Sequence, residues 1–239
     1  MSDRPGAHRI AQVSATQARG DNAIVRGLRH PLVVTQACDR VRSAGAATVV
    51  LVEGVSDRAA LETLAVRQGR DLGQEGVAVV AMGGATNVGH FLGLLGPPGL
   101  GVRLAGLCDE AEEGDFHRGL ERAGLGSGLT RGGAERLGFF VCVADLEDEL
   151  IRSLGVAAVE EVARGQGELG AFRTFQKQPA HRGTPPHKQL RHFMATHSGR
   201  KAQYARLLVE ALDLDRVPRP LDRVLAHVVA GQAGGEVVS

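Results

Sequence analysis

The stretch VVLVEGVSDRAAL, residues 49–61, decides the fold. Val49–Val52 is a continuous apolar run that stops on Glu53-Gly54, and a helix-like pattern begins near Asp57. Uninterrupted apolar runs of this kind suit parallel strands covered on both faces. The run therefore predicts a buried strand over 47–53 that leads into a helix over 57–68. The carboxylate left at its end has to be explained.

The same unit recurs. Apolar runs at 76–82, 102–108 and 138–143 predict three further strands, with helical patterns at 87–95 and 115–123 between them and at 31–44 before the first. Strand and helix in alternation imply a Rossmann-like α/β fold, a doubly wound and mainly parallel four-stranded sheet flanked by helices. Right-handed crossovers then bring every strand's carboxyl end to one edge. After residue 145 only helical patterns follow, at 146–163, 168–176, 187–195, 200–212 and 220–230, interrupted by TPP (184–186) and VPRP (217–220). The expected organisation is a poorly ordered segment 1–25, an α/β domain 26–150, a helical extension 151–230 with a basic face, and a disordered tail 231–239.

Composition narrows the classes. Aromatic residues make up 3% of the 239 and Trp is absent, so Val, Leu and Ala must fill the core. A net charge of +1 excludes a polycation. Cys38, Cys108 and Cys142 are far apart and lie in apolar runs, as buried thiols of a reducing compartment do. The N-terminal sequence has no apolar core of the signal-peptide type, and no run approaches the about 18 apolar residues of a membrane span. The expectation is a cytoplasmic protein without a membrane partner.

Charge is divided along the chain. Residues 109–115 and 145–149 hold nine acids, whereas Arg164 to Arg206 contains nine Arg or Lys against the single acid Glu168, with four His besides. Three predicted strands end in acid, at Glu53, at Asp109 and at Asp145-Leu146-Glu147. Singly, such an acid serves as a helix cap or a solvated loop residue, and Asp57 and Asp115 suit a first helical turn. Together, on one sheet edge, they would repel one another and raise each other's pKa. A divalent cation relieves that repulsion, and hard carboxylate oxygens suit Mg²⁺ or Mn²⁺.

The ordered set VEG-x-SD (52–57), LCDEAEE (107–113), ADLEDEL (144–150) and SGRKAQYARLL (198–208) resembles a Toprim domain, most of all that of the OLD (overcoming lysogenization defect) family nucleases. The resemblance spans about residues 46–230. It implies a Mg²⁺- or Mn²⁺-dependent phosphodiester hydrolase (an endonuclease) or nucleotidyl transferase acting on nucleic acid, with DNA the expected substrate. Glu53 would be a ligand or general base and Asp109 a ligand. Asp57 would be a ligand or a helix cap. Asp145 and Glu147 would follow the fourth strand, with Glu147 the better placed for the metal. Lys201 would stabilise charge on the scissile phosphate, with Arg200 the second choice. Ala111 stands where the family has a second Asp. Glu112 or Glu113 is left to reach the metal in its place, and Glu113 is carried forward as the ligand.

Other signals are weaker. Gly54 would let the chain turn tightly beside metal or phosphate. MGGATN (82–87) reads as a connection, and GLGSGLTRGG (124–133) as a flexible loop, since its G-x-G follows a helix rather than a strand. Tyr204 suits the core better than a nucleophile's role. Arg173, Lys177, Arg182, Lys188 and Arg191 could bind a nucleic-acid backbone or could be a solvated face. No G-x-x-x-x-G-K-[ST] occurs, so an ATPase would be a separate subunit. A homo-oligomer is compatible with the sequence. The rival readings are a catalytically degenerate Toprim module that binds nucleic acid or a partner ATPase, and a Rossmann-like small-molecule phosphatase, which leaves the basic arm unexplained.

Overall fold

The computed structural model describes residues 31–196 and 199–233. The expectations for 1–25 and for the tail beyond 233 lie outside the described residues, whereas residues 231–233, expected in the disordered tail, are helical. Four parallel strands, β1 (Thr48–Val52), β2 (Val77–Ala81), β3 (Arg103–Asp109) and β4 (Phe139–Cys142), form one sheet in the order β2-β1-β3-β4. Each begins and ends within two residues of its expected bounds.

The first half contributes α1 (Pro31–Ser43), α2 (Val55–Arg67), α3 (Val88–Leu95), α4 (Glu113–Arg122) and α5 (Arg131–Arg136). Alternate residues of the strands face two cores. Val49, Leu51, Val80 and Val141 pack with α1, α3, α4 and α5 on one face of the sheet. Val50, Val52, Val79, Leu107 and Phe140 pack with α2 on the other. The crossover from β1 to β2 runs one way along the sheet and those from β2 to β3 and β3 to β4 run the other. Right-handed connections therefore put α2 opposite α3 and α4.

The α2 face is completed by α6 (Leu146–Leu154), α7 (Val156–Gly165), α8 (Leu169–Lys177), α9 (Pro186–Ala195), α10 (Arg200–Ala211) and α11 (Arg219–Ala233). α10 packs along α2, and α11 against β3 and β4. Phe172, Leu208, Val224 and Leu225 share a single core with the strands. Arginines of the first half bond carbonyls of the second. Arg67 Nη1 donates to Val209 O (2.8 Å) and Leu212 O (2.5 Å), Arg70 to Leu225 O (3.0 Å), and Arg103 to Val228 O (3.4 Å). The two at Arg67 bind carbonyls at the C-terminal end of α10, where Val209 O also accepts the Leu212 N–H (3.2 Å). The helical part thus forms a third layer of the fold.

Three local expectations are corrected. The helix over 146–163 is two helices, broken at Gly155, whose φ of +81° favours glycine. Part of the loop 124–133 is helical: Thr130 Oγ1 accepts the Gly133 N–H (3.2 Å) and caps α5. Gly54 does not make a tight turn, for its backbone is extended (φ −133°) and a Cβ there would meet Asp57 at an ordinary 3.4 Å. The three cysteines are buried and none is in a disulfide. Among the described residues no helix is long and apolar enough to cross a membrane.

Glycine is required inside β3. A Cβ on Gly106 would lie 2.6 Å from the Phe139 ring and 3.1 Å from Leu51 O. Gly106→Ala is therefore expected to cost about 1–3 kcal/mol through overpacking. A thermal melt should show a loss of about 2–4 °C per kcal/mol for a chain of this size.

Candidate metal centre at the carboxyl edge of the sheet

In an open parallel sheet, ligands bind where the strand order reverses direction. Here that point lies between β1 and β3. Val52 pairs with Leu107, so Glu53 follows one residue beyond the pair and Asp109 two. The Glu53 backbone is held from the connection after β2: its carbonyl accepts the N–H groups of Gly83 (3.0 Å) and Gly84 (3.2 Å). Both glycines have positive φ, so MGGATN connects β2 to α3 and also fixes Glu53.

The side chains of Glu53, Asp109 and Glu112 converge, with one carboxylate oxygen of each within 4.8 Å of the others. Glu112 comes from a 3₁₀ turn, Glu110–Glu112, directly after β3. Its Oε2 is buried and has no hydrogen-bond partner. Burial raises the Glu53 pKa, and the charges of Glu112 and Asp57 raise it further against Lys201. Burial, then Asp57, Asp145 and Glu147, push Asp109 up to about 8, with Lys201 opposing.

Asp57 and Glu147 are neighbouring carboxylates that are more deeply buried. Asp57 lies in the first turn of α2, where its Oδ2 accepts the Gly54 N–H (2.8 Å), so it does cap the helix. Burial outweighs that bond and raises its pKa. Glu147 is 1% exposed, and neither of its oxygens completes a hydrogen bond. Lys201 Nζ stands 3.1 Å from its Oε2 as an ion pair. Burial pushes Glu147 up to about 7, against the pull of Lys201. The ammonium is itself penalised by burial, but Glu147, Asp57 and Asp109 outweigh this and raise its pKa. Ala144 precedes this segment at φ +67°, the one non-glycine residue at positive φ among the described residues. Strain of this kind concentrates at functional sites.

Such a set fits a divalent cation. Two oxygens on one Mg²⁺ are at most about 4.2 Å apart, twice the Mg–O distance. A bound ion would draw the 4.8 Å set to that span and would give the orphaned Glu112 oxygen a partner. Carboxylate oxygens suit Mg²⁺ or Mn²⁺ over soft metals.

Other expected site residues have protein partners instead. Glu113 is turned away from the cluster: Arg131 Nε and Nη2 bind it at 3.0 and 2.5 Å and hold its pKa below the usual range, so Glu112 takes the place expected for it. Asp145 is the N-cap of α6, its Oδ1 accepting the Asp148 N–H (2.8 Å) while Oδ2 pairs with Arg191. Arg200 bonds Glu168 (3.1 Å) and stacks on Phe193, and Arg173 pairs with Glu160. Tyr204 is core, its hydroxyl donating to Glu168 Oε2 (2.8 Å). Lys177, Arg182 and Lys188 are exposed, with no carboxylate partner among the described residues.

With this geometry in view, residues 46–110 match the family model "Overcoming lysogenization defect protein-like, TOPRIM domain". Over that stretch the chain is similar to an OLD-like Toprim domain. The match includes Glu53, Asp57 and Asp109, and stops short of Glu112, Glu147 and Lys201. No curated protein matches the chain by sequence. Among solved structures, it is similar to the C-terminal region of the Xanthomonas campestris pv. campestris OLD protein phased with mercury. That match has 24% identity and a TM-score of 0.64, covering 80% of this chain and 98% of that one. The C-terminal region of the Burkholderia pseudomallei OLD protein matches at 20% identity and a TM-score of 0.62, covering 78% and 98%. These likenesses extend the shared fold to the helical layer that follows the Toprim strands.

Proposed function

We propose that this Toprim protein is a divalent-metal-dependent phosphodiester hydrolase acting on nucleic acid, with DNA the expected substrate. The observation that carries the reading is the convergence of Glu53, Asp109 and Glu112 at the sheet's switch point, beside Lys201. Glu53, Asp109 and Glu112 would hold Mg²⁺ or Mn²⁺. The bound ion would supply Lewis-acid polarisation of a phosphoryl oxygen and a lowered pKa for water. Lys201, 45% exposed, reaches solvent and can meet the phosphate's charge. Its pairing with Glu147 aims the ammonium at the acidic edge. Lys177, Arg182 and Lys188 are offered as backbone contacts, since Arg173, Arg191 and Arg200 are engaged with carboxylates.

Ala111, in place of an Asp, favours a second reading: a module that binds nucleic acid or a separate ATPase without cleaving. The two are told apart by incubating supercoiled DNA, single-stranded DNA and RNA with the protein and Mg²⁺ or Mn²⁺. Metal-dependent cleavage by the wild type is expected, together with a loss of at least about 10²-fold in Glu53→Gln, as removal of a group essential to transition-state charge typically produces. Binding of substrate without cleavage in either metal supports the second reading. Cleavage that survives Glu53→Gln overturns the assignment of the site.

A further inference from the structure

We infer that Arg131 is a positioning residue that selects Glu112, out of three neighbouring acids, for the metal centre. Glu110, Glu112 and Glu113 stand within one turn after β3 and would repel one another around a shared cation. The guanidinium of Arg131 binds the two flanking members. Its Nη2 is 3.2 Å from Glu110 Oε1 and 2.5 Å from Glu113 Oε2, and its Nε donates to Glu113 Oε1 at 3.0 Å. The planar donor fork suits this bidentate grip in a way a lysine does not. Arg131 opens α5, which is anchored by the Thr130 cap. Glu112 alone is left with a buried, unpartnered oxygen next to Glu53 and Asp109. The clasp compensates for Ala111: it makes an acid one position further along serve the site, and it draws away two others.

This inference rests on the metal reading above, and the sign of one measurement separates positioning from simple charge. Arg131→Gln removes a positive charge near the carboxylates. Electrostatics alone would then tighten Mn²⁺ binding. Loss of the clasp should instead weaken it by about 10–100-fold, the usual effect of losing a group that orients a metal ligand. Calorimetric titration with Mn²⁺ reads this out, with Arg131→Lys expected between the two. A thermal melt should move little, since the pairs are partly exposed. Glu112→Gln added to Arg131→Gln should cost little more, because the two act on one element. Hydrogen exchange of the metal-free protein tests the clasp by itself, with residues 109–113 expected to lose protection in Arg131→Gln. Unchanged or tighter Mn²⁺ binding in Arg131→Gln overturns the inference, as does unchanged protection at 109–113. A wild type that binds no Mn²⁺ overturns the metal centre itself, which the wild-type titration shows separately.

Discussion

Asp109→Asn is expected to abolish Mn²⁺ binding and cleavage while making the metal-free protein more stable at pH 8. Both effects have the same origin. Asp109 is the end of β3, faces the charges of Asp57, Asp145 and Glu147, and is pushed up to about 8 from an ordinary 3.8. The native state therefore holds a proton that the unfolded chain releases near pH 4. This group's contribution to stability is complete below about pH 4 and is lost as pH rises to about 8. An amide has no proton to lose, so the variant escapes that part of the decline. Glu147, pushed up to about 7, acts in the same direction and keeps some slope in the variant. After discounting for solvent screening, the gain at pH 8 should be on the order of 1 kcal/mol, or about 2–4 °C in Tm. For the wild type, added Mn²⁺ should restore stability most at high pH, where its ligands are ionised. Melts across pH 5–8.5 with and without Mn²⁺, beside calorimetry, test all of this. An Asn variant that binds Mn²⁺ like the wild type would remove Asp109 from the site.

Ending the chain at residue 150 is expected to abolish cooperative folding. The sheet face that carries Val50, Val52, Leu107 and Phe140 is closed by the helical layer. Truncation deletes Phe172, Leu208, Val209, Val224, Leu225 and Val228, each no more than 1% exposed. At about 1.5–3 kcal/mol for each buried side chain, the six alone amount to about 9–18 kcal/mol. The whole stability of a domain is about 5–15 kcal/mol. The carbonyl partners of Arg67, Arg70 and Arg103 would also be gone. Far-ultraviolet circular dichroism during urea titration should show a sigmoidal transition for the full chain and none for residues 1–150. A cooperative transition in the fragment would make the helical layer dispensable.

What could be read from the sequence follows a physical line. The four strands were legible because strands buried on both faces are written as unbroken apolar runs, and the order of those runs fixed which edge would carry Glu53, Asp109 and Glu147. α5 was not legible: its six residues RGGAER are too few and too glycine-rich to show periodicity, and a tertiary setting holds them. The choice of Glu112 over Glu113 was hidden for a related reason. It depends on Arg131, 18 residues beyond Glu113, and neither composition nor spacing encodes that pairing. Likewise the basic arm read as one face, although Arg173, Arg191 and Arg200 each answer a particular carboxylate.

The ion pair between Lys201 and Glu147 has a consequence for how the protein is made. All the acids of the centre have been synthesised by residue 147, yet the ammonium that balances them arrives 54 residues later, on α10. Domains fold as units while chains grow from the N-terminus. A chain that ends before residue 201 has the acids but lacks both their cation and the helix that covers α2, and, like the 150-residue fragment, it is not expected to fold around the centre. The metal centre is therefore completed last, when the C-terminal helices dock.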